Sequence, residues 1–197
     1  EFTVERGKLY VLQTRAAKMG PAATVKASVD LVREGVISKE EAVLRVAPEQ
    51  LEQLLHPRVD PSNAKRPMVQ GVPASPGAAA GKAVFDADTA VEWSKGGEKV
   101  ILVREETKPE DVHGFFVARG ILTSRGGKTS HAAVVARGIG KPCIVGCSSI
   151  AIDQKARTFL AEGAKVKEGD LITIDGSSGF VYLGAIPLLE PEIKDEV

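Results

Sequence analysis

The stretch that decides the fold is Gly120–Arg137, GILTSRGGKTSHAAVVAR, where a short apolar run passes through a glycine turn into an alanine-rich segment. The first four residues predict a short buried strand, and the residues from His131 onward predict a helix. Between them, Gly126 and Gly127 let the backbone turn sharply and approach an anion closely. Strand, glycine loop and helix together indicate an α/β domain that presents His131 at the start of a helix.

Short strand and helix patterns continue on both sides of this stretch, from Val69 to about residue 183. Residues 88–95 and 109–118 predict short helices. The apolar runs that predict strands are Ala79–Phe85, Lys99–Val103, Cys143–Val145 and several pieces within 157–183, separated by glycine turns. Residues 67–185 are therefore predicted to form one compact α/β domain, of mixed or β/β/α type, followed by a C-terminal linker over 186–197.

The first third of the chain follows different patterns. Residues 1–15 alternate around an Arg6-Gly7-Lys8 turn and predict a β-hairpin. Because two strands alone are not stable in water, we expect the hairpin to be the end of a larger domain, and the chain to be a fragment. Residues 16–66 predict a helical arm and linker, in which the capping box Ser38-Lys-Glu-Glu41 starts the second of three helices and a proline-rich hinge follows.

The composition argues against several classes of partner. The 197 residues carry 26 basic and 26 acidic side chains, so no net charge favours nucleic acid or an anionic membrane surface. No apolar run approaches the ~18 residues that a transmembrane helix needs. The spacing of Cys143 and Cys147 favours two buried thiols in a cytoplasmic protein over a redox or zinc motif. If the source is a plant, a plastid location is the expectation.

A histidine at a helix start suits reversible phosphoryl transfer. A neutral imidazole offers a ring nitrogen as nucleophile, and the phosphoramidate that it forms leaves readily once the ring is protonated. Unpaired N–H groups and the positive dipole end of the helix favour an anion there, while Thr129 or Ser130 can cap the helix.

Charge in the sequence agrees with an anion site, because no acidic residue lies between Asp111 and Asp153. The basic residues of that window are Arg119, Arg125, Lys128, Arg137 and Lys141. An acid-free basic window suits phosphate oxyanions, and Arg125 and Arg137 are predicted to contact them.

Two interpretations of His131 remain open on pattern alone. A glycine turn before a helix is a common connection, and the histidine could merely cap it. The chain contains neither a P-loop nor a complete dinucleotide fingerprint, so a carrier of this kind is expected to receive phosphoryl groups from one partner domain and deliver them to another. His56, which precedes Pro57, and His113 are interpreted as structural.

Several motifs resemble those of one family. Gly126–Gly138, GGKTSHAAVVARG, strongly resembles the phosphohistidine motif of the pyruvate, phosphate dikinase and phosphoenolpyruvate synthase family, and Gly71–Gly81, GVPASPGAAAG, resembles the opening of the same domain. Further likenesses favour the dikinase branch: Asp30–Gly35, Glu41–Val46 and Leu51–Pro57 in the helical arm, and Glu1–Thr3 and Leu12–Arg15 in the hairpin. The resemblance covers nearly the whole chain.

The resemblance implies a swivelling phosphohistidine domain of β/β/α type, preceded by the last hairpin of an ATP-grasp nucleotide-binding domain. In such enzymes ATP and inorganic phosphate react at the ATP-grasp domain, and the histidine takes a pyrophosphoryl group, then keeps one phosphoryl. The domain then swings to a TIM-barrel domain that interconverts pyruvate and phosphoenolpyruvate. The resemblance implies Mg as the cofactor of the full-length enzyme, with none bound by the carrier domain itself. The full-length enzyme is expected to be a homodimer, and the isolated fragment is expected not to catalyse the full reaction.

The resemblance also assigns individual residues. Glu1, Gln13 and Arg15 match nucleotide-site residues, and Glu1 is a candidate metal ligand. Thr129 matches the threonine that plant dikinases phosphorylate for regulation, although helix capping would also explain it. Lys128 departs from the family pattern, which commonly has Met in dikinases and Arg in synthases. The alternatives are therefore a phosphoenolpyruvate synthase, the first enzyme of the sugar phosphotransferase system, or a noncatalytic docking module.

Overall fold

The computed structural model describes residues 1–63 and 65–191. These divide into two compact units, the first over Glu1–Leu51 and the later one over residues 52–63 and 65–191. The first unit opens with an antiparallel hairpin of β1 (Phe2–Glu5) and β2 (Lys8–Val11). Both turn residues, Arg6 and Gly7, have positive φ. Such a two-residue turn matches the right-handed twist of the flanking strands, and the predicted hairpin is confirmed.

Three helices follow the hairpin: α1 (Pro21–Arg33), α2 (Lys39–Arg45) and α3 (Pro48–Leu54). The side chain of Ser38 accepts from the backbone N–H of Glu41 at 3.1 Å, and the Glu41 carboxylate accepts from the backbone N–H of Ser38 at 2.8 Å. These reciprocal bonds satisfy two N–H groups that a helix start leaves unpaired. The predicted capping box and the three short helices are confirmed.

Within the residues that the structure describes, the later unit contains thirteen strands and three α-helices. The strands are β3 (Arg58–Val59), β4 (Val69–Gln70), β5 (Val72–Ser75), β6 (Ala78–Val84), β7 (Val100–Arg104), β8 (Gly120–Thr123), β9 (Cys143–Val145), β10 (Ile150–Asp153), β11 (Thr158–Ala161), β12 (Ala164–Lys167), β13 (Leu171–Asp175), β14 (Phe180–Leu183) and β15 (Leu188–Leu189). The helices are α4 (Ala87–Lys95), α5 (Val112–Val117) and α6 (His131–Gly138), and a 3₁₀ turn, Pro109–Asp111, leads into α5.

Eight of these strands form one sheet in the order β4-β14-β13-β6-β7-β8-β9-β5. Its centre, β6 to β9, is parallel, and antiparallel strands complete both sides. A second sheet contains β10, β11 and β12, and a two-stranded pairing joins β3 to β15. Sequence patterns did not predict β3 and β15, because two-residue strands carry no periodicity.

The core lies on both faces of the large sheet. Along β7, Ile101 and Val103 belong to one buried cluster, while Val100 and Leu102 belong to the other, as expected when successive side chains point to opposite faces. The first cluster includes Phe159 of the small sheet. The second includes residues of all three helices: Ala90, Phe115, Ala132, Ala133 and Ala136. The predicted mixed α/β class is confirmed, whereas the swivelling of the domain remains a prediction.

The parallel centre of the sheet gives it two distinct edges. The carboxyl ends of β7, β8 and β9 meet at one edge, and the loop that leads to His131 leaves from there. The opposite edge carries the start of β6, where the N–H of Ala78 donates to the carbonyl of Pro57 at 2.7 Å. Within the described residues, no helix is both long enough and apolar enough to cross a membrane.

Candidate functional site

The loop between β8 and α6 is held in one conformation by its own residues. The hydroxyl of Thr123 donates to the carbonyl of Arg125 at 2.7 Å. Gly126 has φ +101, and a Cβ there would lie 2.9 Å from the Cβ of Ser130. Ser130 accepts from the N–H of Ala133 at 3.4 Å and is the N-cap of α6. Of the two predicted caps, Ser130 therefore performs the capping.

A second glycine, which the sequence analysis did not single out, supports the loop from β9. Gly146 has φ +59, and a Cβ there would lie 2.5 Å from the carbonyl oxygen of Gly126. Its N–H donates to the carbonyl of Arg125 at 3.3 Å, and the next N–H, of Cys147, donates to Thr123 at 3.0 Å. Only a residue without a side chain permits this approach, so Gly146 determines where the loop lies.

His131 is the first residue of α6 and is half-buried. Its Nδ1 lies 3.2 Å from Oγ1 of Thr107, and its ring meets the ring of Phe115 edge-on, with centroids 6.2 Å apart. Within the described part of the chain, Nε2 has no hydrogen-bond partner. The imidazole is thus neither enclosed in the core nor engaged on both nitrogens.

Thr107 is the second site residue that the sequence analysis missed. It is 6% exposed and lies in the loop after β7, which is the parallel neighbour of β8. The register pairs Arg104 with Thr123, and the N–H of Arg125 donates to the carbonyl of Glu105 at 2.9 Å. The two loops therefore run side by side. Their adjacency follows from strand order, which no local pattern in the sequence reveals.

Several backbone N–H groups next to His131 in sequence are unpaired in the described part of the chain. Within the described residues, the N–H groups of Lys128, Thr129, His131 and Ala132 donate to no acceptor. They belong to the loop and the first turn of α6, where the helix dipole is positive. An anion next to His131 would meet unpaired donors and a favourable dipole.

Charge around the site differs from what the linear window suggested. Glu105, outside the acid-free window, lies 3.8 Å from the guanidinium of Arg125, because β7 runs beside β8. Arg119 and Lys141 precede β8 and β9 and so belong to the opposite edge of the sheet. Burial and the nearby charge of Arg119 lower the pKa of Lys141. The expectation that the site is surrounded only by basic residues is therefore wrong. Glu105 borders the site, and Arg119 and Lys141, two of the five basic residues, are remote from it.

The remaining basic residues have distinct surroundings. Arg137 donates through Nε to the carbonyl of Ala133 at 3.2 Å, and its Nη2 donates to the carbonyl of Lys128. Arg137 thus ties the helix to the loop. Lys128 and Thr129 are exposed beside His131. Contacts of Arg125 and Arg137 with phosphate, and modification of Thr129, remain predictions. Since Ser130 is the cap, capping does not account for Thr129.

Other predicted residues lie in the first unit. The backbone nitrogen of Glu1 donates to the carbonyl of Gln13 at 2.7 Å, and Arg15 donates to the Gln13 side chain at 3.2 Å. The three form one exposed group at the open end of the hairpin. Their roles toward a nucleotide remain predictions. Among residues 1–63 and 65–191, no three His, Cys, Asp or Glu side chains are grouped so that they could hold a metal ion.

The other two histidines lie in different settings. His113 is exposed and has Nε2 3.0 Å from Oδ1 of Asp88. His56 precedes Pro57 and lies against Gly77, where an added Cβ would be 3.4 Å from the Cβ of His56. Both serve as internal comparisons for His131, whose ring alone stands at the start of a helix beyond a glycine loop.

The sequence of the later unit matches a known family. Residues 96–179 match the family model described as PEP-utilising enzyme, mobile domain. Over 98% of its length the chain is 59% identical to the pyruvate, phosphate dikinase of Entamoeba histolytica. It is 56% identical over its full length to the pyruvate, phosphate dikinase of Rhizobium meliloti, and 52% identical over 98% of its length to that of Clostridium symbiosum.

One solved structure, titled as a solution structure of Enzyme I, matches 44% of this chain and 31% of its own chain at 30% identity. Its TM-score is 0.32, so this likeness carries no argument about the fold.

The chain therefore belongs to the family of phosphoenolpyruvate-utilising enzymes, whose mobile domain it contains. Within that family it is similar to pyruvate, phosphate dikinases from end to end, which confirms the resemblance seen in its motifs. The chain spans 22% of the length of these relatives.

Proposed function

We propose that this chain is the phosphoryl carrier of a pyruvate, phosphate dikinase, with His131 as the residue that is reversibly phosphorylated. The observation that carries the proposal is the asymmetry of the imidazole: Thr107 lies 3.2 Å from Nδ1, whereas Nε2 has no partner within the described residues. A nucleophile needs one atom with a free lone pair and a fixed direction of approach. An imidazole held through one nitrogen meets both requirements.

The transfer step follows from this arrangement. With the proton on Nδ1 and donated to the Thr107 hydroxyl, the lone pair of Nε2 attacks phosphorus. An N–P bond forms while the bond from phosphorus to the donor oxygen breaks, and that oxygen leaves with the electron pair. The ring keeps its Nδ1 proton and carries the positive charge that makes the phosphoramidate a good donor. Delivery to an acceptor oxygen is the same step in reverse.

The loop and helix start would stabilise the transferred group. Unpaired N–H groups of Lys128, Thr129 and Ala132 are donors for its oxygens, and preorganised donors are most effective in a site from which a partner excludes water. Lys128 and Arg125 add positive charge at the exposed rim, where Arg125 already has Glu105 nearby. We assign the backbone the main role because its position is fixed by Gly126 and Gly146.

The rest of the reaction belongs to parts of the polypeptide outside this chain. The chain is 59% and 56% identical to two relatives named pyruvate, phosphate dikinase, and this similarity favours a dikinase over a synthase. On this proposal an ATP-grasp domain supplies a pyrophosphoryl group, one phosphoryl passes to inorganic phosphate, and a TIM-barrel domain uses the other with pyruvate. Mg would serve both ends. A cytoplasmic homodimer is part of the same proposal.

A chimera tests the proposal directly. This chain replaces the matching segment of the Rhizobium meliloti dikinase, with which it is 56% identical. Incubation with phosphoenolpyruvate labelled on phosphorus is expected to give acid-labile, base-stable label on the protein. His131→Ala should abolish the label, while His113→Ala and His56→Ala should retain it, since neither side chain adjoins the loop. Label that survives in His131→Ala would overturn the assignment.

The full-length gene separates the carrier alternatives, and the chimera tests for a noncatalytic module. A dikinase transfers a phosphoryl group to inorganic phosphate, whereas a synthase transfers it to water, and this difference resides in domains that the chimera takes from its host. A noncatalytic module would leave the chimera unlabelled although folded. Circular dichroism and nucleotide binding of the His131→Ala chimera should match those of the parent, which identifies loss of chemistry rather than loss of structure.

A further inference from the structure

A partly buried ion pair closes the loop that carries Thr107. Nη2 of Arg104 lies 3.3 Å from both carboxylate oxygens of Asp111, and the two side chains are only 15% and 11% exposed. Arg104 is the last residue of β7, and Asp111 ends the 3₁₀ turn that leads into α5. The pair therefore joins the two ends of the segment in which Thr107 lies.

Both partners are also anchored to the surrounding backbone. Nη1 of Arg104 donates to the carbonyl of Phe85 at 3.0 Å, which attaches the pair to the end of β6. Asp111 accepts from the N–H of Lys108 at 2.9 Å, one residue beyond Thr107. The loop is thus held from β6 through Arg104 and Asp111 to the residue next to Thr107.

Stability alone is a weak account of this pair. Desolvation of two charges offsets most of their attraction, and a buried ion pair often adds little to folding. Here Nε of Arg104 is buried without a hydrogen-bond partner in the described part of the chain, which is a further cost. The clear geometric effect of the pair is to fix the short loop whose hydroxyl contacts Nδ1 of His131.

We infer that Arg104 and Asp111 are positioning residues for phosphoryl transfer: they hold the Thr107 hydroxyl against Nδ1, where its oxygen accepts the Nδ1 proton and leaves the lone pair on Nε2. This inference rests on the proposed function of His131. Neither residue contacts the reacting atoms. Both act through Thr107, so their effect depends on the presence of its hydroxyl.

The tautomer of His131 is the readout that a merely structural role would not change. The 197-residue chain is labelled with ¹⁵N, and the shifts of Nδ1 and Nε2 are measured near pH 8.5, where an ordinary imidazole is neutral. Asp111→Asn removes the charge but keeps an acceptor for Lys108. We expect the fraction of the Nδ1–H form to fall in this variant, as in Thr107→Val. Glu110→Gln, the exposed neighbour in the same 3₁₀ turn, is the matched control and should leave the tautomer unchanged.

The rate of phosphorylation by phosphoramidate, a small donor that needs no partner domain, provides the second measurement. A hydrogen bond of ordinary net strength corresponds to a loss of about three- to tenfold in Thr107→Val. We expect a loss of similar or smaller size in Asp111→Asn and none in Glu110→Gln. In the Thr107→Val background, Asp111→Asn should cause no further loss, because the contact through which it acts is already gone.

Two outcomes would overturn the inference. One is a slower phosphorylation of Asp111→Asn with an unchanged tautomer of His131. The other is a Thr107→Val/Asp111→Asn double variant whose rate loss equals the product of the two single losses. Unfolding midpoints and amide spectra of all variants show whether Asp111→Asn still folds. If it does not fold, Arg104→Lys takes its place with the same expectations. Lysine keeps the positive charge but cannot contact the Phe85 carbonyl and the Asp111 carboxylate at the same time. Failure of the proposed function is separately recognisable, because then the wild-type chain would not be phosphorylated on His131 although its tautomer could still be measured.

Discussion

The two compact units of this chain achieve order in different ways. In the later unit, Phe85, Phe115 and Phe159 are almost completely buried, with 2% exposure at most. Within the described part of residues 1–51, the only buried side chains are Thr24 and Ser28, which are polar. Their hydroxyls donate to helix carbonyls four residues earlier, at 3.1 and 2.8 Å. Burial orders the later unit, whereas local hydrogen bonds order the first.

The exposed apolar side chains of the first unit complete the contrast. Both hairpin strands are exposed on both faces, with Phe2 at 67% and Val11 at 64%. An isolated hairpin is at best marginally stable in water, and apolar burial is the dominant favourable term in folding. We conclude that the later unit can support a rigid site by itself, while the first unit contributes little to the free energy of unfolding of this chain.

The largest effect that tests this comparison is expected in the core between the two sheets. Phe159 is fully buried, with its ring centroid 6.3 Å from that of Phe85. Phe159→Ala should lower the free energy of unfolding by about 3–5 kcal/mol, because it removes a large apolar side chain and leaves a cavity. Phe2→Ala is the control and should change it by less than about 0.5 kcal/mol. Denaturant unfolding measures both, and equal losses would contradict the contrast.

The next effect concerns the rigidity of the site. Gly146→Ala places a Cβ 2.5 Å from the carbonyl oxygen of Gly126 at a φ of +59. It should lower the free energy of unfolding by about 1–3 kcal/mol and slow phosphorylation of His131, because the loop must move. Gly163→Ala, at a φ of +82 in the turn between β11 and β12 where a Cβ meets nothing within 4 Å, is the matched control and should leave the rate unchanged. An unchanged rate in Gly146→Ala would mean that the position of the loop does not matter to the chemistry.

A smaller and local effect is expected in the first unit. Ser38→Ala removes the side chain that accepts from Glu41 and should cost α2 about 1 kcal/mol. Because few buried contacts couple α2 to anything else, amide hydrogen exchange should accelerate several-fold in α2 while the later unit unfolds at an unchanged denaturant midpoint. Acceleration throughout the later unit would show that the two units unfold together.

The smallest expected effect is that the two buried cysteine thiols do not react with an alkylating reagent. Burial raises the pKa of the Cys143 thiol to about 12 and that of Cys147 to about 11, against an ordinary value of 9.0. Neither should react with iodoacetamide in the native chain at pH 8, since the thiolate is the reactive form. Thr3→Cys, in the exposed hairpin, is the positive control and should be labelled rapidly.

The same thiols also affect stability at alkaline pH. Above about pH 9 the unfolded chain loses thiol protons that the folded chain retains until its higher pKa, so the free energy of unfolding should fall as pH rises. Cys143→Ala should weaken that dependence in denaturant titrations between pH 8 and 10. A stability that rises over this range in the parent chain would contradict the burial of the thiols.

Features with a local signal in the sequence were predictable. The hairpin, the capping box at Ser38, the strand Gly120–Thr123 and the helix at His131 were all predicted, because turn residues, caps and periodicity act within a few residues. The buried state of both cysteines also followed from their small apolar character. The mixed α/β class followed from the alternation of short strands and helices.

Features that depend on strand order were not predictable. Thr107 and Glu105 reach the site only because β7 and β8 are parallel neighbours, and Gly146 does so because β9 lies on the other side. The linear window between two acids included Arg119 and Lys141, although a strand separates each from the loop edge. Contacts across a sheet are set by pairing between distant segments, which one sequence alone does not display.

The pairing of β3 with β15 has a mechanical consequence. Leu188 lies opposite Val59, so segments near the two ends of the described part of the later unit lie side by side. Pro57, just before β3, bonds to the start of β6, at the edge of the sheet opposite to the loop of His131. On the proposal that the later unit is a swivelling carrier, such an arrangement would let it turn without stretching either connection, and the point farthest from the attachment would travel farthest. The imidazole of His131 lies toward that far end, separated by at least the length of β8, about 13 Å for four residues.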